Sequence, residues 1–302
     1  MSVKERRPMI PLAEPPPKAA AGREIHLYYP DEGFGSMYRR VLVNDLFTDL
    51  MRRTRIRTVA EVPLDSYELV GAGSLIFAHL GADLTLISDD EQVLARGQAL
   101  MRFNSVSQVR YLHSSLHSIP VADDAFDLTW SFDALLPVPN KEAFLRELCR
   151  ISKATFLIVP YAYSYGQLLH HLYHVFTKTT CVHAGPRGWM RSRPIREALR
   201  RGGMEIAAEG IIDVPWWPSF PELPNMVRRM LGRPPVKLDS SGVPEASPRV
   251  VRTEEVPALR RRVTRNAFVE RSRILPRPLK LLFAHNLYVL GCKPQHRLTL
   301  GL

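Results

Sequence analysis

Between residues 57 and 160 the chain alternates short apolar blocks with stretches of helical length, and no other feature limits its fold so tightly. Blocks at 57–62, 83–88, 108–112, 126–131 and 154–160 read as strands, and helical patterns at 72–80, 90–100 and 140–149 separate most of them. Strands joined through helices pair in parallel by right-handed crossovers, so this alternation predicts an α/β architecture with a mainly parallel sheet and helices on both faces. Ahead of the first strand, Met37, Val41, Val43, Leu46, Phe47, Leu50 and Met51 recur near helical spacing and predict an amphipathic helix over 36–55. A short helix over 194–203 ends in glycines. Strands at 204–214 and 284–294 then bring the sheet to seven.

The remaining sequence divides around this frame. Residues 1–22 combine charge with a PPP run and carry no apolar stretch of signal-peptide kind, so they read as a mobile tail. The α/β domain is expected over 23–218, a proline-rich and basic insertion over 219–283, and the last strand with a tail over 284–302. Most of the net charge of +11 lies in that insertion: residues 247–280 hold ten Arg or Lys against three Glu. A basic amphipathic helix over 255–270, with Val256, Leu259, Val263 and Phe268 inward, would suit an anionic membrane surface as well as a plain solvated face. The three cysteines, Cys149, Cys181 and Cys292, are far apart and show no metal or disulfide spacing, which fits a reducing cytoplasm.

The stretch from 114 to 166 is the most specific. Ile119, Pro120, Asp124, Phe126, Asp127 and Leu128 are followed by Phe144, Leu145, Arg146, Glu147, Arg150 and Ile151, and then by the strand FLIVP. In spacing and order this resembles the class I S-adenosylmethionine-dependent methyltransferases, in particular those similar to quinone-biosynthesis methyltransferases. The resemblance extends back through AHLGADLTLIS and covers roughly 57–214 together with the last strand. It implies a Rossmann-like seven-stranded fold, S-adenosyl-L-methionine as cofactor, and no metal.

The same resemblance marks out a cofactor site with three departures. Glu61 occupies the acidic position at the end of the first strand, but Pro63, Asp65 and Tyr67 stand where glycines are usual, and the loop is about four residues longer, with Gly71 and Gly73 late and Ser74 placed to cap the helix. At the ribose position a strict alignment puts Ser88, and a one-residue slip puts Asp89, which is the preferred reading because a carboxylate accepts from two hydroxyls. Ser115 and Leu116 fall beside the adenine. Read without the resemblance, Asp89 and Asp90 are an N-terminal helix cap and Ser115 a turn residue.

On the acceptor side the candidates are Phe132 after the fourth strand, Tyr161, Tyr163 and Tyr165 after the fifth, and His170 as a base or substrate contact, with Tyr29 and Tyr38 as a lid. His170 and His174, followed by Cys181 and His183, superficially resemble a metal set, but no HExxH glutamate accompanies them. The chemistry expected is methyl transfer to a small-molecule or lipid-like acceptor. A methyltransferase-like protein that no longer binds the cofactor is the alternative. No base-flipping motif or RNA-binding appendage supports a nucleic-acid substrate.

Overall fold

The computed structural model describes residue 27 and residues 34–64, 70–169, 187–215, 251, 253–272 and 274–302. The tail 1–22, Tyr29, the His170–His183 group and most of the insertion lie outside the described residues. Seven strands form one sheet: β1 (Thr58–Glu61), β2 (Asp83–Ser88), β3 (Val109–His113), β4 (Phe126–Phe132), β5 (Ser152–Pro160), β6 (Glu205–Ile212) and β7 (Asn286–Cys292). Their order is β3-β2-β1-β4-β5-β7-β6, with β7 antiparallel to both neighbours and the other pairs parallel. The last strand therefore enters the sheet between β5 and β6 instead of adding to an edge.

Central strands of a parallel sheet are covered on both faces, so β4 and β5 are buried along almost their whole length, β5 with the apolar run Phe156–Pro160 and β4 with Asp127, Thr129 and Ser131 buried between its apolar side chains. One face is covered by α1 (Phe34–Arg53), α2 (Leu75–His79) and α3 (Glu91–Phe103), and there Phe47 sits edge-on to both Trp130 and Phe156. The other is covered by α4 (Lys141–Ile151) and α5 (Ser192–Arg201), whose Phe144, Leu145, Leu148, Ile195 and Leu199 recur at helical spacing and are fully buried. Each such side chain contributes about 1.5–3 kcal/mol of burial. Asp90 and Asn140 cap the two longer crossover helices, accepting from Val93 and Gln92 N–H and from Ala143 N–H.

The residues that carried the family resemblance brace this frame. The Arg150 guanidinium bonds Glu147 and Asp123 and the carbonyls of Ile119 and Val121, and Glu147 accepts from Ile119 N–H at 2.6 Å, so one helix face clamps the loop entering β4. Asp127 joins the start of β4 to β1 through the N–H groups of Arg57 and Thr58, and to Lys153 on β5.

The basic segment departs from expectation in its phase. It forms α6 (Val256–Asn266) and α7 (Phe268–Arg271), separated by Ala267, whose backbone leaves the helical region. Val263 is buried as expected and Ala267, four residues on, shares its face, whereas Phe268 lies five residues from Val263, off that stripe, and is 54% exposed; Val269 is buried against Val214 and Ala284. Then α8 (Arg277–Phe283) leads into β7, and the residues after it form a helix, α9 (Pro294–Leu300), in place of the expected tail.

Candidate active site

The carboxyl ends of the parallel strands lie along one edge of the sheet, where open α/β folds bind ligands. At the end of β1, Glu61 is 1% exposed, and Ser74 Oγ donates to its Oε2 at 2.5 Å. Trp130 Nε1 in turn donates to Ser74 Oγ at 3.0 Å. Ser74 therefore does not cap the helix as the sequence suggests; its hydroxyl links a strand-end carboxylate to an indole.

The two late glycines have separate reasons. Gly71 opens the turn Ala72–Ser74 with φ 79°, a left-handed backbone. Gly73 lies against Trp130, and a Cβ there would come within 2.5 Å of Trp130 Cη2. Beyond Glu61 the chain does not turn away at once: Val62 N–H bonds Trp130 O and Leu64 N–H bonds Ile87 O, with Val62 and Leu64 buried. Residues 65–69 lie outside the described residues.

At the end of β2, the buried Ser88 hydroxyl accepts from Asp90 N–H at 3.1 Å, and Asp90 is the cap of α3. Asp89 is exposed, and no described residue pairs with its carboxylate; its carbonyl meets His113 Nε2 at 3.1 Å. After β3, Ser115 is exposed while Leu116 is buried with Ala60, Val62 and Ile87. At the end of β4, Phe132 is buried and carries the Arg39 guanidinium 5.0 Å from its ring centroid.

The acceptor-side candidates separate. Tyr161 is half-buried, its phenol pushed up by burial, and its ring meets Tyr163 edge-on. Tyr163 is 56% exposed beneath Arg191. Tyr38 is no lid: it is fully buried on α1 and its hydroxyl donates to Glu270 Oε2. His170 lies outside the described residues, as do the other three members of its group, and among the described residues no cluster of His, Cys, Asp and Glu could hold a metal.

A polar cluster that sequence reasoning missed stands at the same edge, two strands beyond β4. Asp213 follows β6 with φ 61° and is 3% exposed; His285 and Asn286, at the start of β7, place Nδ1 at 3.5 Å and Nδ2 at 3.4 Å from its Oδ2. Glu270 also accepts from Val214 N–H, and burial and the Asp213 charge push its carboxyl up to about 7. Tyr165 sits edge-on to Phe283 and tilted toward His285, its phenol pushed up to about 12 by burial. An acidic residue directly after a strand was the only sequence signal for this group.

Residues 69–157 match a sequence family described as "Methyltransferase domain". No curated protein matches the chain. Among solved structures it is similar to a provisionally named sarcosine dimethylglycine methyltransferase from Galdieria sulphuraria, with 12% identity and a TM-score of 0.51 over 90% of this chain and 92% of that one. It is also similar to the magnesium protoporphyrin IX methyltransferase from Synechocystis with bound SAH, with 16% identity and a TM-score of 0.44 over 58% of this chain and 79% of that one. At its identity, the Galdieria structure speaks for the fold alone.

Proposed function

We propose that the chain is a class I S-adenosylmethionine-dependent methyltransferase that methylates a small, lipid-like acceptor met at an anionic membrane surface; the methyltransferase-domain match over residues 69–157 and the strand order β3-β2-β1-β4-β5-β7-β6 support the reading. One observation carries the reading of the site: successive strand ends present a carboxylate at Glu61, a carboxylate at Asp89 and a hydroxyl beside an apolar side chain at Ser115 and Leu116. That set of acceptors and apolar surface fits an amino acid joined to a nucleoside.

In this reading Asp89, exposed and with no described partner, accepts from both ribose hydroxyls, and Ser115 and Leu116 flank the adenine. Glu61 supplies negative charge for the ammonium group, with Ser74 already holding one of its oxygens. The cofactor brings an electrophilic methyl group, so the chain's own residues need only bind, orient and exclude water. Phe132 supports an apolar wall at the β4 end.

The membrane contact is supported by the surface leading into β7. Phe268, Ile274, Leu279 and Leu282 are exposed, Ile274 to 93%, beside Arg271 and Arg277. Apolar side chains among arginines match a bilayer surface, where apolar groups enter the headgroup region and basic ones meet anionic lipid. Among the described residues no helix is long and apolar enough to cross a membrane.

Calorimetric titration with S-adenosylmethionine and its demethylated product tests the first part; absence of heat at millimolar ligand would remove it. Flotation with anionic and neutral vesicles tests the second. Binding that is equal on both vesicle types and insensitive to salt would contradict the electrostatic attachment.

A further inference from the structure

Three buried polar atoms without a hydrogen-bond partner among the described residues belong to one cluster: Asp213 Oδ1, His285 Nε2 and Tyr165 Oη. Buried polar groups are paired in all but a few cases, because leaving one unpaired costs about 1–3 kcal/mol. Here three come from three separate segments, after β6, before β7 and after β5. Such a convergence is expected where a ligand supplies the missing partners.

The arrangement is directional. Asp213 is sealed, with its side chain 4% exposed, while the His285 side chain remains 15% exposed at the outer end of the pair. His285 N–H donates to Asp213 O at 2.9 Å and His285 O accepts from Tyr161 N–H at 2.7 Å, so the backbone fixes the imidazole between β6 and β5. Asp213 Oδ2 lies 3.5 Å from Nδ1, an approach that favours a proton on that nitrogen and leaves the buried Nε2 to accept. Gly166 gives that nitrogen room, since a Cβ there would lie 3.0 Å from Nε2.

We propose that His285 is a general base for a hydroxyl acceptor, with Asp213 as its positioning residue and Tyr165 as a second contact to the acceptor oxygen. This rests on the methyl-transfer reading above. The acceptor class follows from the charge around the site. An amine beside buried Asp213 and Glu270 would be held as an ammonium ion, with no lone pair to attack, whereas an enol or phenol needs a base of this kind. Tyr161, Tyr165 and Phe283 supply aromatic surface for a planar acceptor. In the step, the hydroxyl proton passes to His285 Nε2 as the acceptor oxygen bonds the methyl carbon. The carbon–sulfur bond breaks with its electron pair on sulfur, S-adenosylhomocysteine leaves, and Asp213 balances the imidazolium. His285 stands two strand spacings from β4, about 10 Å, on the ligand-binding edge.

Long-range proton–nitrogen spectra of the full chain labelled at histidine, with phenol as the probe, test the assignment. In the wild type, identified by difference from His285→Gln, the Nε2 signal is expected in the unprotonated region and is expected to move on addition of phenol. Asp213→Asn is expected to shift His285 toward the opposite tautomer, a change that loss of packing alone would not produce. An Nε2–H tautomer in the wild type, or an Nε2 signal unmoved by phenol up to its solubility limit, overturns the proposal even if Asp213→Asn does not fold. S-adenosylmethionine titrated into the same sample separates the two readings. Binding with a protonated Nε2 removes the base and keeps the methyltransferase; absence of cofactor binding removes the methyltransferase and with it the step assigned to His285, whatever the Nε2 signal shows.

Discussion

Ser74 Oγ stands between Glu61 Oε2, at 2.5 Å, and Trp130 Nε1, at 3.0 Å, so one hydroxyl serves a strand-end carboxylate and a core indole together. Ser74→Ala removes both bonds inside the sheet's central layer. With a charged partner on one side and a buried N–H on the other, the expected loss is about 2–4 kcal/mol. A lower urea midpoint, accompanied by a change in tryptophan emission, is the result that checks it.

Gly73→Ala is expected to destabilise through contact with the same indole, since the added carbon would lie 2.5 Å from Trp130 Cη2. Overpacking of this kind costs about 1–3 kcal/mol. Trp130→Phe removes the colliding atoms, so the double variant should lose less than the sum of the two single ones. Additive losses in a denaturation cycle would show that Trp130 is not what Gly73 accommodates.

Asp89→Ala is expected to leave thermal stability unchanged and to weaken S-adenosylmethionine binding. The residue is exposed and has no described partner to lose. Hydrogen bonds to a charged group contribute about 1.5–3 kcal/mol, so the dissociation constant should rise roughly ten- to a hundredfold by calorimetry. Ser88→Ala is the contrasting case: its hydroxyl accepts from Asp90 N–H within the fold, so stability should respond more than affinity.

Glu270 gives a pH dependence whose sign is fixed by burial. Its folded carboxyl titrates at about 7, above the ordinary 4.5. Below about 4.5 both states are protonated and the residue adds no dependence. Between these values the folded state holds a proton that the unfolded chain releases, so stability falls as pH rises, and the loss is complete above 7. The change is of order 2–3 kcal/mol. Glu270→Gln should flatten this part of the stability profile, and urea midpoints at pH 4.5 and 7.5 for both proteins would measure it.

What the sequence made legible was what neighbours in the chain decide. Most strands were readable as short apolar blocks, and α4 because its apolar side chains recur within successive helical turns. The position of Glu61 was equally local. Its partnership was not: Ser74 is 13 residues away and Trp130 is 56 residues from Ser74, and nothing in a glycine pattern foretells a hydroxyl bridging them. The Asp213 cluster was still less visible, since Asn286 lies 73 residues from Asp213 and Tyr38 lies 232 from Glu270. Phe268 was misplaced because the larger apolar side chain was preferred over Ala267, which is the residue that continues the stripe of Val256, Leu259 and Val263 at helical spacing.

The position of β7 between β5 and β6 has a consequence for synthesis. On a ribosome the first five strands can pair as they emerge, but β6 must wait until residues 213–285 have been made before the strand that joins it to the sheet appears. At 5–20 residues per second that interval is roughly 4–15 s. During it the β5 edge is open and β6 has no partner, so the nascent chain passes through a stage in which a strand from another molecule could add at that edge, and the arrival of the last strand ends its vulnerability.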